Sequence, residues 1–261
     1  MLDYICWDWN GTLLDDVSLC VAVMDGMLQR RGLPSLGGEA RYREIFTFPV
    51  QEYYRAAGFD FGREPFEKLA LEYIEEYDRK ALDCPLHAGA AEVLEALEAQ
   101  GLRQLIVSAS KQKALEEQVG HAGVRGFFEA LLGLEDSFAR SKSGLALQYF
   151  SAHAVDARRV LFIGDTLHDW EVAQEAGCAC VLLAQGHQSR RRLEAAGVPV
   201  LESVGQVPAF LGAQKGGRLK ESHCLPRPLS TGEEGGKKIN PGPGLDNRGR
   251  KQYNGFCCTG R

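Results

Sequence analysis

The chain has 261 residues, 44% hydrophobic and 25% charged, with a formal charge of -5. This length suits one α/β domain with a modest insertion, or two small domains, and the composition is that of a globular protein. The negative balance argues against nucleic acid as the main partner, and no apolar run approaches the roughly 20 residues that span a bilayer, so no membrane partner is expected.

Residues 2–8, Leu-Asp-Tyr-Ile-Cys-Trp-Asp, read as a short buried strand ending on a carboxylate, and Asn10-Gly11-Thr12 break it with turn chemistry. Asp3 and Asp8 lie where a secretory leader needs an apolar core. Residues 15–86 then carry few strand signals and many aromatics. They read as helices over Asp16–Arg31, Glu39–Phe46, Val50–Ala57 and Pro65–Lys80, a helical insertion whose aromatics mostly form its own core.

A helix from Gly89 to Gln100 leads into a strand at 102–108, Leu-Arg-Gln-Leu-Ile-Val-Ser. Further strands are expected at 160–165, again ending on Asp, and at 179–184, with helices at Lys111–His121, Ser143–Ala154 and His168–Ala176 between them. Nearly all-apolar strands alternating with helices indicate a parallel sheet covered on both faces, whose ligands bind at the carboxyl ends of the strands. Asp8, Ser108 and Asp165 all fall at such ends. The eight cysteines lack zinc-type spacing. Cys6 and Cys180 sit inside apolar runs as reduced buried thiols do, so a cytoplasmic location is expected. From residue 214 to 261 the chain is rich in Gly, Pro and charge without hydrophobic period, and is expected to stay disordered.

Phosphoryl transfer to a carboxylate needs a nucleophile, a divalent cation and a positive group on the phosphate. Asp8 is the candidate nucleophile, with Thr12 able to hydrogen-bond the phosphate or the nucleophile. Asp165 and Asp169, in Gly164-Asp165-Thr166-Leu167-His168-Asp169, are spaced to approach one cation, and magnesium prefers few carboxylates plus substrate oxygens. The Ser108 hydroxyl and the nearby backbone, Ala109 included, offer phosphate contacts. Lys142 is a candidate for the positive charge, with Arg140 or Lys111 as replacements.

The ordered set Asp8-x-Asn10-Gly11-Thr12, Ser108, Lys142, Gly164-Asp165-x-x-x-Asp169 resembles the four motifs of the haloacid dehalogenase-like hydrolase superfamily over residues 1 to about 212. The sequence looks closest to its phosphoglycolate-phosphatase-like branch. The resemblance implies a Rossmann-like, doubly wound parallel sheet (residues 1–14 and 87–213) with a small mobile helical cap (15–86) inserted after the first strand. It implies Asp8 as nucleophile and a magnesium ion held by Asp8, the Asn10 main-chain carbonyl and Asp165, with Asp169 supporting. Ser108 and Lys142 would hold the phosphoryl group of a small phosphorylated metabolite.

One position departs from the pattern. Phosphatases of this superfamily usually carry an acid–base Asp two residues after the nucleophile, where this chain has Asn10, and an amide cannot take up and release a proton. Asp15, Asp16 and His168 are candidate replacements. Besides a working phosphatase, three alternatives stay open: a phosphate-binding protein with little turnover, a sugar-phosphate mutase relative, and a phosphonatase using Lys68 or Lys80. The retained Asp165 and Asp169 argue against a metal-free dehalogenase. Trp7 and Trp9 read as packing residues, Arg43 and Arg55 as candidates to meet a substrate carboxylate, and Gly186-His187-Gln188-Ser189 as a candidate rim of the site.

Overall fold

The computed structural model describes residues 2–134 and 141–214; Arg140 and the tail from residue 215 lie outside the described residues. Six strands form one all-parallel sheet in the order β3-β2-β1-β4-β5-β6. They are β1 (Tyr4–Trp7), β2 (Arg103–Lys111), β3 (Ala130–Leu134), β4 (Val160–Gly164), β5 (Ala179–Leu183) and β6 (Val200–Leu201). The protein is therefore α/β with a Rossmann-like sheet. Sequence periodicity misses β3 and β6, and β2 runs three residues past its expected end because Lys111 still pairs with Leu134 across an irregularity in register.

Alternate strand residues feed opposite cores, the period-2 consequence of the pleat. Ile5, Trp7, Ile106 and Ile163 pack against Val93, Leu94 and Leu97 of α5 (Ala90–Glu98) and Leu115 and Val119 of α6 (Gln112–His121). Tyr4, Cys6, Val107 and Phe162 pack on the other face against α7 (Lys142–Ala152) and α8 (Leu167–Ala176). Trp7 and Trp9 are fully buried, and their indole N–H groups donate to Gln104 Oε1 at 3.0 Å and Gln118 Oε1 at 2.8 Å, the pairing that a buried indole needs.

Between β1 and α5 the chain forms four α-helices, α1 (Val17–Arg30), α2 (Glu39–Ile45), α3 (Val50–Ala57) and α4 (Phe66–Asp78), and a 3-10 turn at Ala81–Asp83. They enclose a third core, in which Met24, Met27, Leu28 and Leu69 meet Tyr42, Tyr53, Tyr54 and Phe66. The loop after β5 grips this bundle: Arg43 Nε donates to the carbonyl of Gly186 at 2.9 Å, Gln188 Nε2 to that of Phe46 at 3.0 Å, and Arg192 to the same Phe46 carbonyl.

Register decides where the polar residues meet. Trp7 pairs with Ile106 of β2 and with Ile163 of β4, so Asp8, Ser108 and Asp165 leave the sheet at one edge. The main-chain N–H of Asp8 donates to Ile163 at 2.8 Å and fixes that level. Among the described residues no helix is long and apolar enough to cross a membrane.

Candidate active site

At this edge the ligand oxygens of Asp8, Asp165 and Asp169 lie within 4.8 Å of one another, all three residues buried. Each is held by local structure. Thr166 N-caps α8 in a reciprocal capping box with Asp169, the arrangement that satisfies two orphan helix donors at once. Asp169 Oδ2 thereby accepts from the Thr166 hydroxyl at 2.7 Å and from the main-chain N–H groups of Thr166 at 2.9 Å and Asp165 at 3.1 Å. Its Oδ1 faces the Nζ of Lys142 at 2.5 Å, and the same ammonium donates to Asp8 Oδ1. Ser141 caps α7 through the N–H of Gly144 at 3.2 Å and so sets where Lys142 enters.

Asp165 is oriented by Thr12, whose hydroxyl donates to Oδ1 at 2.8 Å, and by the His187 N–H, 2.6 Å from Oδ2. The Thr12 side chain thus holds a carboxylate rather than facing the cavity beside Asp8. Gly11 turns under this pair at φ 72°; a Cβ there would lie 2.5 Å from both Asp165 Oδ2 and His187 Cδ2, so the backbone approaches as closely as only glycine permits.

Burial raises the Asp8 carboxyl to about 7, with Lys142 opposing and Asp169 and Asp165 adding to the rise. Burial likewise lifts Asp165 to about 6, against the pull of His187. Asp169 goes the other way: burial opposes its charge, and Lys142 with the Thr166 hydrogen bond outweighs it. Three carboxylates facing one lysine leave negative charge uncompensated. An all-oxygen donor set of this kind fits a hard divalent cation.

Asn10 sits beside the nucleophile candidate. Its amide N–H₂ donates to Asp16 Oδ2 at 3.0 Å and to the Tyr77 hydroxyl at 2.7 Å, and its Oδ1 accepts from the Ser110 hydroxyl at 2.8 Å. Asp16 also accepts from Tyr77 at 2.6 Å and from the Gly11 N–H at 2.9 Å, and its Oδ1 lies 3.4 Å from His187 Nε2. Burial alone would raise the Asp16 carboxyl; His187, Tyr77 and Asn10 bring it down to about 2. Burial would lower His187, and Asp16 with Asp165 raises it to about 9. Asp16, Cys20 and His187 converge within 4.8 Å, and the His187 imidazole, raised by Asp16, pairs with its carboxylate across 3.4 Å.

A cavity of about 130 Å³ opens between this edge and the helical bundle, lined at its polar end by Asp8, Asn10, Asp16, Ser108, Ala109 and Lys142. Ser108 Oγ accepts from the Ser110 N–H at 3.1 Å. His168 reaches the cavity wall, while Asp15 is half-exposed and faces His87 at 3.7 Å. Of the residues that sequence reasoning singled out for the site, Arg43, Arg55, Lys68 and Lys80 do not line it. Arg43 holds the β5 loop, Arg55 lies 4.8 Å over the Phe61 ring, and Lys68 pairs with Glu64 at 2.8 Å. The roles of Tyr77 and Ser110 carry no motif; His187 was legible only as a possible rim residue.

The sheet, its inserted helical bundle and the carboxylates at the ends of β1 and β4 define an α/β protein of the Rossmann-like class with an acidic, cation-ready site. The chain belongs to the haloacid dehalogenase-like hydrolase family, whose model matches residues 5–183. It is similar to an N-acetylmuramic acid 6-phosphate phosphatase of Pseudomonas putida, 29% identical over 189 residues that cover 70% of this chain and 83% of the relative. A phosphoglycolate phosphatase of Pseudomonas fluorescens is 25% identical over 194 residues, 72% of this chain and 71% of the relative. Among solved structures, a haloacid dehalogenase-like hydrolase family protein from Streptococcus pneumoniae superposes with a TM-score of 0.69 at 19% identity, over 80% of this chain and 98% of that one.

Proposed function

We propose that the protein is a magnesium-dependent phosphatase that hydrolyses the monoester of a small phosphorylated metabolite through an aspartyl-phosphate on Asp8. The observation that carries this reading is the Asp8 carboxylate, bonded to the Lys142 ammonium at the polar end of the cavity with Asp165 and Asp169 behind it. The magnesium ion, held by Asp8, the Asn10 carbonyl and Asp165 with Asp169 in support, would offset the repulsion between an anionic nucleophile and an anionic phosphate.

The chain's own groups account for the rest. An Asp8 oxygen attacks phosphorus, the bond from phosphorus to the ester oxygen breaks, and the ester oxygen leaves as an alkoxide that takes its proton from water. Water then attacks phosphorus, the bond to Asp8 breaks to return its carboxylate, and phosphate leaves, the water's proton passing to the departing phosphate or to solvent. Lys142 is positioned to exchange a carboxylate contact for a phosphoryl oxygen. Ser108 accepts through Oγ, so its own proton can turn to a second phosphoryl oxygen. The helical segment 15–86 serves as the cap that excludes bulk water.

Relatives named as phosphatases support the reaction class. Asn10 supports a second reading, a phosphate-binding protein with little turnover, because its amide cannot supply the leaving group's proton. Phosphate release from a panel of small monoesters, with and without magnesium, tests both. Metal-dependent release by the native protein and none by Asp8→Asn is the expected result; a folded native protein that binds these esters and releases no phosphate would establish the second reading.

A further inference from the structure

The cavity has two chemically different ends. Its polar end is the site just described, whereas the cap side is mostly aromatic and aliphatic, with Phe46, Phe48, Tyr54, Phe66, Tyr73 and Ile74 in its wall and tyrosine hydroxyls, but no charged group beyond Asp16, among them. The aromatic faces are locked against one another, Tyr54 against Phe66 with ring centroids 5.3 Å apart and Phe46 against Phe48 at 5.6 Å, so the wall is preformed. Among the described residues that line the cavity there is no arginine, and Lys142, the one lysine, is engaged by Asp8 and Asp169. His187 is paired with Asp16, and His168, the other lining histidine, turns its Nδ1 to Glu171 at 3.4 Å. A second anionic group on the substrate would be stripped of water among aromatic rings with no cation to receive it, which is costly.

From this division we infer that the substrate is the phosphate monoester of an uncharged alcohol whose carbon part is apolar and about the size of one six-membered ring. The inference rests on the phosphatase reading for the word substrate, but not for the preference in binding. Size follows from volume: the partly open cavity holds about 130 Å³, less than the closed apolar cavity of about 150 Å³ that takes up benzene, so one ring fills its apolar side and a larger carbon part would extend out through its opening. The cap wall buries the ring while the polar end holds the phosphoryl group. A leaving group with a carboxylate, as in 2-phosphoglycolate, meets the wrong end of the cavity.

The test compares benzyl phosphate with 2-phosphoglycolate and ethyl phosphate on the full chain with magnesium. All three release alkoxides rather than phenoxides, so a preference does not reflect phenol chemistry. Burial of the ring is expected to give benzyl phosphate a kcat/KM about 10- to 100-fold above either competitor. Phe48→Arg, a partly exposed position on the wall, should lower the benzyl-to-glycolate ratio at least about tenfold, and Ala70→Phe, which fills the cavity, should do the same by raising KM for benzyl phosphate. Calorimetric binding of the three esters to Asp8→Asn separates the two claims. Tighter binding of benzyl phosphate with no turnover by the native protein would leave this inference standing and overturn the phosphatase reading. Turnover that favours 2-phosphoglycolate would overturn the inference and leave the phosphatase reading intact; equal binding of all three would overturn the inference, with release of phosphate by the native protein still deciding the phosphatase reading.

Discussion

Asn10 donates its side-chain amide to the Oδ2 of Asp16 across 3.0 Å, so the position beside the nucleophile candidate faces a buried carboxylate and is itself filled by an amide. An aspartate at position 10 would set two carboxylates in that contact. Like charges at this distance cannot both ionise freely, and an amide relieves the conflict while keeping the hydrogen bond. Asn10 is thus matched to Asp16: the residue that departs from the family pattern belongs to a network that also includes Tyr77, Ser110 and His187.

Asn10→Asp is therefore expected to lower the melting temperature and, where the protein folds, to speed the release of poor leaving groups. General acid help is worth roughly 100- to 10,000-fold, and a crowded carboxyl should recover the lower part of that range with alkyl phosphates and little of it with aryl phosphates. Adding Asp16→Asn should restore part of the lost thermal stability. Stopped-time phosphate assays paired with thermal melts measure both; equal turnover by Asn10→Asp and the native protein on alkyl esters would show that proton donation does not limit the reaction.

Asp16 itself is only 1% exposed and accepts from Asn10, Tyr77 and Gly11 while pairing with His187. Asp16→Ala leaves three donors and a protonated imidazole without their acceptor. Breaking a buried pair in this way costs about 3–5 kcal/mol. Urea unfolding should show a loss of unfolding free energy of that size, and a loss under about 1 kcal/mol would mean that water replaces the carboxylate freely.

Most of the sheet was legible because β1, β2, β4 and β5 are short apolar runs, each followed by turn or helix signals. β3 was not: Ala130–Leu134 is five residues interrupted by Gly133 on the sheet edge, and β6 is only Val200–Leu201. The acidic site was legible for the same reason as the strands, since Asp8 and Asp165 are defined by where apolar runs stop. What joins Asp16 to His187 is tertiary: one precedes α1, the other follows β5, and no local period links a helix-flanking aspartate to a loop histidine. The inserted bundle's aromatics looked like core in the sequence, and Tyr42 and Tyr53 are core; that these two together with Phe46, Phe48 and Tyr73 wall a cavity depends on how the bundle sits over the sheet edge.

The helical bundle of α1–α4 carries a surface network in which Arg31 bonds Glu64 at 2.6 Å and Glu72 at 2.5 Å. The Arg31 hydrogen bond, with Lys68 adding to it, holds the Glu64 carboxyl down at about 2. A depressed carboxyl contributes stability that is present above its unfolded value of about 4.3 and is lost as pH falls through the folded one. The melting temperature of the native protein should therefore exceed that of Glu64→Gln by a constant margin above about pH 5, and the margin should close towards pH 2. High salt should shrink it at every pH, as it does for exposed pairs.

Gly11→Ala tests how tightly the turn after β1 is built. A Cβ would meet Asp165 Oδ2 and His187 at 2.5 Å in a backbone region that alanine rarely adopts. The change should displace Asp165, which Thr12 and the His187 N–H otherwise orient. Disturbing the groups that orient a ligand typically costs 10- to 100-fold in metal affinity. Magnesium titration by calorimetry should show a loss of about that size with the overall helical signal retained.

Lys142 separates a structural role from a chemical one. Its ammonium is buried between Asp8 and Asp169, and burial, which would lower its basicity, is overridden by Asp169 and Asp8. Lys142→Met removes the one lysine among the described residues of the cavity wall and leaves two carboxylates facing each other. In the presence of a chelator the variant should lose about 3–5 kcal/mol of stability, the cost of stranding a buried charge. Magnesium supplies positive charge to the same carboxylates, so millimolar metal should return part of that stability by binding the folded state. Activity should not return with it. If Lys142 holds a phosphoryl oxygen as charge develops, kcat/KM stays down by about 100-fold or more even when magnesium is saturating. Recovery of both stability and turnover on adding metal would mean that the lysine only balances charge and does not touch the substrate.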